Sequence, residues 1–172
     1  MTGRDEEFRD YVTARLEPLR RTAYLLCRDW HTADDLVSIT LSKLYRNWRR
    51  ALGADNLDAY VRGMLTNAWL DERRRPWRRE RSTDEVPDRA DLTAGEPSVG
   101  EREMLLELLG RLAPRRRAVV VLRFYCDLSV EETARILGVS TGTVKSQAAR
   151  ALETLRLLAS HHSAAVESGR QR

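Results

Sequence analysis

The chain has 172 residues, of which 42% are apolar and 33% are charged, with a formal net charge of +4. This length allows one ordinary domain or two small ones, each close to the lower limit for an independent core. The longest apolar run, Ala118 to Leu122, is too short for a membrane span or for the apolar part of a secretory signal.

The two cysteines, Cys27 and Cys126, lie far apart in the sequence among apolar and aromatic neighbours. We interpret both as reduced core thiols of a cytoplasmic protein, because disulfides are rare in that compartment. No cysteines and histidines are spaced as zinc ligands. We therefore expect neither a metal nor a cofactor.

The first half carries the pattern of three helices. Apolar residues recur at three- and four-residue steps from Phe8 to Leu26, which predicts the first helix. Thr32 is the expected N-cap of the second helix. Turn-forming residues predict a loop from Gly53 to Asp58, and the third helix should follow and end at Pro76.

Composition changes sharply after the third helix. Six arginines lie between Arg73 and Arg81, and six carboxylates follow between Ser82 and Glu101 without apolar periodicity. This predicts a flexible acidic linker, and about twenty residues of coil span roughly 25 Å, enough to hold the two halves apart. The basic domain ends and the acidic linker also favour a compact, autoinhibited form, which salt should expand; the sequence leaves this choice open.

The second half is helical again. A leucine-rich stripe runs from Met104 to Leu112, and Pro114 begins a helix that continues through the apolar stretch from Ala118 to Tyr125. Two short helices should follow, with a frayed polar tail from Ser160. Strand alternation is absent, so the predicted fold is all-α with two small helical domains. Their predicted limits are 5–79, a linker at 80–100, 101–158, and a tail at 159–172, with no appended sensor domain.

A helix-turn-helix is the sharpest local signal. Ser129 and Glu132 have the spacing of a capping box, Gly138 supplies a left-handed turn, and Ser140 caps the next helix. An ordinary helical hairpin could carry any one of these features, but their combined spacing is that of a DNA-binding helix-turn-helix. The side chains left to face base edges and phosphates are Thr141, Thr143, Lys145, Ser146, Gln147 and Arg150.

The third helix of the first half combines Asn67 and Trp69 with a run of arginines, and Trp77 follows. Aromatic rings between arginines suit an opened DNA strand, because rings stack on bases and guanidinium groups follow phosphates. The alternative is that Trp69 lies in the core and the arginines form a solvated helix end. The residues alone do not decide between the two.

Three stretches of the chain carry the motifs of one known family. They are Asp34-Asp35-Leu36-Val37 with Thr40-Leu41, Ala59-Tyr60-Val61 through Asn67 to the arginines, and Arg123-Phe124-Tyr125 through Glu132 with Gly142 to Ser146. With these motifs the chain resembles bacterial sigma factors of the extracytoplasmic-function group, with the short actinobacterial type nearest. In chain order the three stretches resemble the family's polymerase-binding helix, its −10 recognition helix and its −35-binding domain, and the resemblance covers about residues 5 to 157.

This resemblance implies a set of site residues. Asp34, Asp35, Leu36, Leu41 and Leu44 would contact core polymerase. Arg62, Asn67, Trp69, Arg73, Arg74 and Trp77 would lie at the −10 element, with the Gly53–Asp58 loop and Asn67 holding a flipped base. Lys145, Ser146 and Arg150 would read and clamp the −35 groove, and Asp84, Glu85 and Asp88 of the linker could mimic nucleic acid near the polymerase active site.

The implied partners are core RNA polymerase and promoter DNA, and an anti-sigma factor is a further option. We expect neither insertion into a membrane nor a small-molecule substrate. A stand-alone transcriptional regulator is the first alternative, but its first half should show a sensor pocket or dimer seam. An enzyme is the second. Its only candidate histidines, His31, His161 and His162, lie in a turn and in the tail, so we expect no catalytic residues.

Overall fold

A computed structural model describes residues 3–75 and 99–169 of the chain. Pro76, Trp77 and nearly all of the predicted acidic linker lie outside these described residues. Every regular element in the two ranges is a helix, which confirms the all-α prediction. The helices are α1 (Gly3–Cys27), α2 (Trp30–Arg46), α3 (Trp48–Leu52), α4 (Leu57–Arg74), α5 (Val99–Arg111), α6 (Pro114–Val120), a π-helical turn (Val121–Tyr125), α7 (Val130–Leu137) and α8 (Thr141–Gly169).

The second helix begins earlier than the sequence predicted. Its N-cap is Asp29, whose carboxylate accepts hydrogen bonds from the backbone nitrogen of Thr32 at 2.8 Å and from its hydroxyl at 2.6 Å. The expectation that Thr32 caps this helix was therefore wrong. Arg28 adopts a positive φ of 61° and ends α1, which lets the chain turn directly into the next helix.

The last helix is much longer than predicted. It runs for 29 residues to Gly169, where a short helix and a frayed tail from Ser160 were expected. The tail contains no proline, and its serines bond back into the helix, with Ser160 Oγ donating to the carbonyl of Arg156 at 2.9 Å. Small and polar residues are compatible with a helix when no breaker interrupts them.

The two halves share one apolar core. In the first half, α1, α2 and α4 pack around Leu26, Leu65 and Trp48, all of which are buried. Residues of the second half, including Leu122 and Val144, belong to the same cluster. Helix α1 packs against α5, α6 and the π-helical turn, while α4 packs against α6 and α7. The halves are thus closed on one another, the compact arrangement that the sequence left open.

Candidate nucleic-acid and polymerase interfaces

The helix-turn-helix is built as the sequence predicted. Ser129 Oγ accepts from the backbone nitrogen of Glu132 at 3.0 Å, and Glu132 Oε2 accepts from the backbone nitrogen of Ser129 at 2.9 Å. Gly138 ends α7 with a φ of 63°, which is the left-handed conformation that favours glycine. Ser140 Oγ then accepts from the backbone nitrogen of Thr143 at 3.1 Å and so caps α8. The capping box, the left-handed glycine and the Ser140 cap are therefore all formed as the sequence predicted.

The outer face of α8 presents polar and cationic side chains. Thr141, Lys145, Ser146 and Arg150 are exposed. Thr143 and Gln147 are half-buried, and both already have partners: the hydroxyl of Thr143 lies 2.9 Å from Ser140 Oγ, and Gln147 Oε1 accepts from Arg116 Nε at 2.9 Å. The first four side chains are thus the exposed part of the predicted −35 set, and the hydroxyl of Ser146 also donates to the carbonyl oxygen of Thr143 at 3.1 Å.

Helix α4 presents only part of the predicted −10 set. Arg73 and Arg74 are exposed near its end, Arg62 is half-buried, and Asn67 is exposed. Trp69 is only 2% exposed and belongs to the apolar core, so its ring is not available to stack on a base. In this closed structure Trp69 therefore occupies the core position that the sequence left open as an alternative.

The start of α4 is tied to the second half. Asn56 Oδ1 accepts from the backbone nitrogen of Ala59 at 3.0 Å and caps the helix, while its Nδ2 donates to Glu132 Oε1 at 3.0 Å. Farther along, Asn67 Nδ2 donates to the backbone carbonyl of Ile136 at 3.2 Å. The sequence marked Asn56 only as a turn former, and it gave no sign that either asparagine bonds to α7.

The predicted polymerase-binding residues divide between the core and the surface. Leu36 and Leu44 are 1% and 0% exposed, and Leu41 is half-buried against the same core. Leu36 and Leu44 therefore cannot present their side chains to a partner in this structure, which corrects that part of the prediction. The polar members are exposed: Asp34 accepts from Arg20 Nε at 2.6 Å, and Asp35 lies 3.8 Å from His31 Nε2.

The exposed side of α2 forms an open groove with the side of α4. Ile39 is 40% exposed there, and Asp35, Ser38 and Glu72 supply its polar edge. Ile39 is thus an exposed apolar side chain bordered by the carboxylates of Asp35 and Glu72. Sequence periodicity missed Ile39 because it lies outside the leucine stripe.

A buried arginine, which the sequence did not single out, joins the halves. Arg117 on α6 is 6% exposed, and its guanidinium lies 5.4 Å from the centroid of the Trp69 ring. Its Nη1 donates to the carbonyl of Leu26 at the end of α1, at 2.6 Å. Its Nη2 donates to the carbonyls of Gly110 and Leu112 at 3.1 and 3.3 Å. Burial, together with the charges of neighbouring arginines, lowers the pKa of Arg117 to about 10.

The cysteines are unpaired, with Cys27 partly buried and Cys126 buried. Both are free thiols; Cys126 is buried, with its Sγ 3.9 Å from Thr22 Oγ1, and burial raises the pKa of Cys27 to about 12.

Across the described ranges, 3–75 and 99–169, no group of three or more histidine, cysteine, aspartate or glutamate residues could hold a metal ion. The helices of these ranges also include none long and apolar enough to cross a membrane.

A helix-turn-helix with an open polar and cationic face on its second helix defines a DNA-binding protein. Comparison with known families agrees on both halves. The family model described as Sigma-70 region 2 matches residues 11–79, and the model described as Sigma-70, region 4 matches residues 102–155. The two matches follow one another in the order expected from the sequence.

Relatives of known identity extend the match along the chain. The RNA polymerase sigma-E factor of Streptomyces coelicolor is 38% identical over 87% of this chain and 84% of its own length. The ECF RNA polymerase sigma factor SigG of Mycobacterium tuberculosis is 31% identical over 97% of this chain and 55% of its own length. Among solved structures, the sigma factor RpoE of Bartonella quintana, in complex with the anti-sigma factor NepR, is 25% identical with a TM-score of 0.76, covering 90% of this chain and 98% of that one.

The chain belongs to the sigma-70 family, in the extracytoplasmic-function group whose members bind core RNA polymerase and direct it to promoters.

Proposed function

We propose that this sigma factor reads the −35 element with α8, captures the −10 element with α4, and binds core polymerase with the outer side of α2. The observation that carries the proposal is the helix-turn-helix, which leaves Thr141, Lys145, Ser146 and Arg150 exposed on one helix. Cations on such a face supply salt-dependent affinity through phosphates, and short polar side chains reach base edges.

The polymerase contact of the proposal lies on the exposed groove rather than on the buried leucines. Ile39 supplies the apolar contact, and Asp35 and Glu72 supply the acidic edge of the groove, while Asp34 lies outside the groove and pairs with Arg20. Charged rims raise the association rate and fix orientation, while a desolvated apolar side chain contributes more of the affinity. A factor that works bound to polymerase on promoter DNA acts in the bacterial cytoplasm.

Melting of the promoter follows from capture of unstacked bases at α4. The amides of Asn56 and Asn67 can hydrogen-bond base edges, and Arg73 and Arg74 lie where the helix end can follow phosphates. Unstacking a base costs roughly a few kcal/mol, which hydrogen bonds to the held bases and contacts with the phosphates must offset together. The proposed mechanism is non-covalent throughout, so this chain makes and breaks no covalent bond.

Polymerase is required because each DNA contact is weak alone. Two modules held at a fixed separation gain affinity through effective concentration. We therefore expect weak promoter binding by the free protein and tight binding by the complex with core polymerase. An anti-sigma factor is a further proposed partner, since the similar sigma factor RpoE is seen in complex with the anti-sigma factor NepR.

Run-off transcription tests the proposal. Core polymerase with and without this protein transcribes a genomic fragment library, and the 5′ ends are mapped. Protein-dependent starts that share one motif near −35 and one near −10 are expected. Tight binding of a promoter duplex without polymerase, together with no new starts, would instead favour a stand-alone regulator.

Two substitutions on α8 locate the −35 contact within the same assay. Lys145→Ala and Arg150→Ala should each lower −35-dependent initiation about tenfold and leave affinity for core polymerase unchanged. Arg156→Ala is the matched control, since Arg156 is an exposed arginine on the same helix beyond the helix-turn-helix. An equal loss in the control would show a general charge effect rather than a −35 contact.

A further inference from the structure

The loop from Gly53 to Asn56 connects α3 to α4 and includes the N-cap of α4. The proposed function assigns −10 bases to this end of α4, and the inference below rests on that assignment. Gly53, Asp55 and Asn56 are exposed, and the backbone nitrogen of Ala54 bonds only into the preceding turn, to the carbonyl of Ala51 at 3.0 Å. A short exposed loop takes its position from the elements at its two ends.

Aromatic packing against α1 fixes the element before the loop. Trp48 begins α3 and is 2% exposed. Its ring meets the ring of Phe8 edge to face, with centroids 5.3 Å apart, and the ring of Tyr11 at 5.5 Å with a tilt of 51°. Such arrangements of aromatic rings are favourable. Because α3 has only five residues and is too short to be stable alone, its position depends on this packing.

Two other bonds to α1 fix the element after the loop. Asp58 lies in the first turn of α4, where its Oδ1 accepts from the hydroxyl of Tyr11 at 3.1 Å. Its Oδ2 lies 3.1 Å from Nη2 of Arg15, one turn farther along α1. Burial and the adjacent Asp58 carboxylate raise the pKa of Tyr11 well above its ordinary value. The hydroxyl therefore keeps its proton at neutral pH and acts as the donor.

Arg15 is the weaker of the two holders of this carboxylate. The side chains of Arg15 and Asp58 are 48% and 33% exposed, and ion pairs in contact with water contribute little because solvent screens them. The bond from Tyr11 is part-buried, so its loss leaves a carboxylate oxygen without a donor where water reaches it less easily. We therefore expect the first turn of α4 to depend on Tyr11 more than on Arg15.

A single side chain thus contacts both flanks of the loop, with its ring on Trp48 and its hydroxyl on Asp58. We propose that Tyr11 is a positioning residue for −10 recognition, which holds the loop and the Asn56 amide in the geometry that selects a base. Asn56 lies two residues before Asp58, so a shift of the first turn of α4 moves its amide directly. Hydrogen bonds weaken steeply with poor alignment, so such a shift reduces the discrimination between bases. Tyr11 itself contacts no DNA in this proposal.

Tyr11→Phe tests the proposal because it removes the hydroxyl and keeps the ring against Trp48. The matched control is Tyr45→Phe, since the hydroxyl of Tyr45 donates to Asp5 Oδ1 at 2.8 Å and its ring lies 5.1 Å from that of Phe8. The control loses the same kind of tyrosine–aspartate bond to α1, but this bond links α1 to α2 and not to α4.

The experiment uses the full chain with core polymerase on a promoter that the wild-type protein recognises in run-off transcription. The −10 and −35 elements are randomised in separate libraries, and the templates of the transcripts are sequenced. Tyr11→Phe should lower the ratio of preferred to other bases about fivefold at the strongest −10 position and leave the −35 preferences unchanged. Tyr45→Phe should change neither. A merely structural role would lower the total number of starts without changing these ratios.

Substitutions of Asp58 test whether Tyr11 acts through this carboxylate. Asp58→Ala should lower the same −10 ratio, whereas Asp58→Asn should keep it, because an amide oxygen still accepts from the Tyr11 hydroxyl. Adding Tyr11→Phe to Asp58→Ala should lower the ratio no further, since the bond is already lost. Additive losses would show that Tyr11 does not act through Asp58 and would overturn the proposal.

Unchanged −10 ratios in Tyr11→Phe would also overturn it, whatever happens to the total number of starts. So would an equal fall in the −35 ratios or in Tyr45→Phe, because the effect would then be a general loosening of the protein. Failure of the proposed function has a different result: the wild-type protein itself would give no starts or no −10 preference. If the wild type shows that preference and Tyr11→Phe keeps it, only the positioning role of Tyr11 is lost.

Discussion

Leu44 and Ile39 lie on the same helix, but Leu44 lies in the core and Ile39 on the outer surface of the helix. Substitutions at the two positions therefore test protein stability and polymerase binding separately. Leu44 is 0% exposed and packs in the shared core, whereas Ile39 is 40% exposed. Truncating a fully buried leucine to alanine costs about 2–5 kcal/mol, because transfer energy is lost and a cavity remains. Against a total stability of about 5–15 kcal/mol for a small protein, Leu44→Ala should remove a large part of the margin.

Ile39→Ala should behave in the opposite way. Its side chain leaves little cavity, and alanine is the better helix former, so we expect a stability change within about 0.5 kcal/mol. Loss of a central apolar contact should weaken binding to core polymerase about tenfold or more. Urea unfolding followed by tryptophan fluorescence measures the first quantity, with the buried Trp48 as a reporter, and fluorescence anisotropy with labelled protein measures the second.

The reverse pattern would show that Leu44, and not Ile39, contacts polymerase. If Leu44→Ala unfolds at nearly the wild-type urea concentration but loses polymerase affinity, the leucine faces polymerase in the working conformation. If Ile39→Ala also binds as wild type, the groove on α2 is not the contact. A wild-type affinity of folded Leu44→Ala, measured at low temperature without urea, would support the core assignment.

Three further predictions concern local features. Burial raises the pKa of Cys27 to about 12, so at pH 8 only about one thiol in ten thousand is ionised, and labelling by a thiol reagent should be slow until urea unfolds the protein. Gly138→Ala should cost roughly 1–2 kcal/mol in thermal unfolding, since open space surrounds the added carbon and only the positive φ is unfavourable, while Gly138→Asn should cost less. A hydrogen bond from the backbone nitrogen of Ser129 lowers the pKa of Glu132 below its usual 4.5. The stability that this carboxylate contributes is therefore present above pH 4.5 and is lost as the pH falls further. The urea midpoint should drop more between pH 7 and pH 3.5 in the wild type than in Glu132→Gln. Rapid native labelling, equal costs for the two Gly138 variants, or parallel acid profiles would contradict these three expectations in turn.

The helix-turn-helix could be predicted in detail because its determinants are local. The Ser129 capping box and the left-handed Gly138 act through bonds between residues three or four positions apart, so the sequence contains all the participants. The same holds for the fold class, which depends on apolar periodicity within single helices. These features needed no knowledge of which helices meet.

The wrong predictions concern residues whose local sequence pattern fits both a core and a surface position, so that only tertiary packing decides between the two. Apolar periodicity identifies one face of α2, but whether Leu36 and Leu44 meet the core or a partner depends on the position of α1 and α4. Trp69 presented the same choice and is also core. Arg117 stands in a run of three arginines, Arg115 to Arg117, and only the closing of the second half onto α1 buries it. The contacts of Asn56 with α7 carry no periodicity, so no pattern could report them.

The burial of Arg117 makes the stability of the closed arrangement, relative to separated halves, depend on temperature. Separating the halves would return its guanidinium to water and leave the carbonyl of Leu26 without this donor. The hydration of a charged group becomes less favourable as temperature rises, so its burial costs less in warm solution than in cold. The apolar contacts around it also weaken on cooling. Both effects have the same sign, so mild warming should favour the closed form and chilling should favour separation, well below the temperature at which the helices melt.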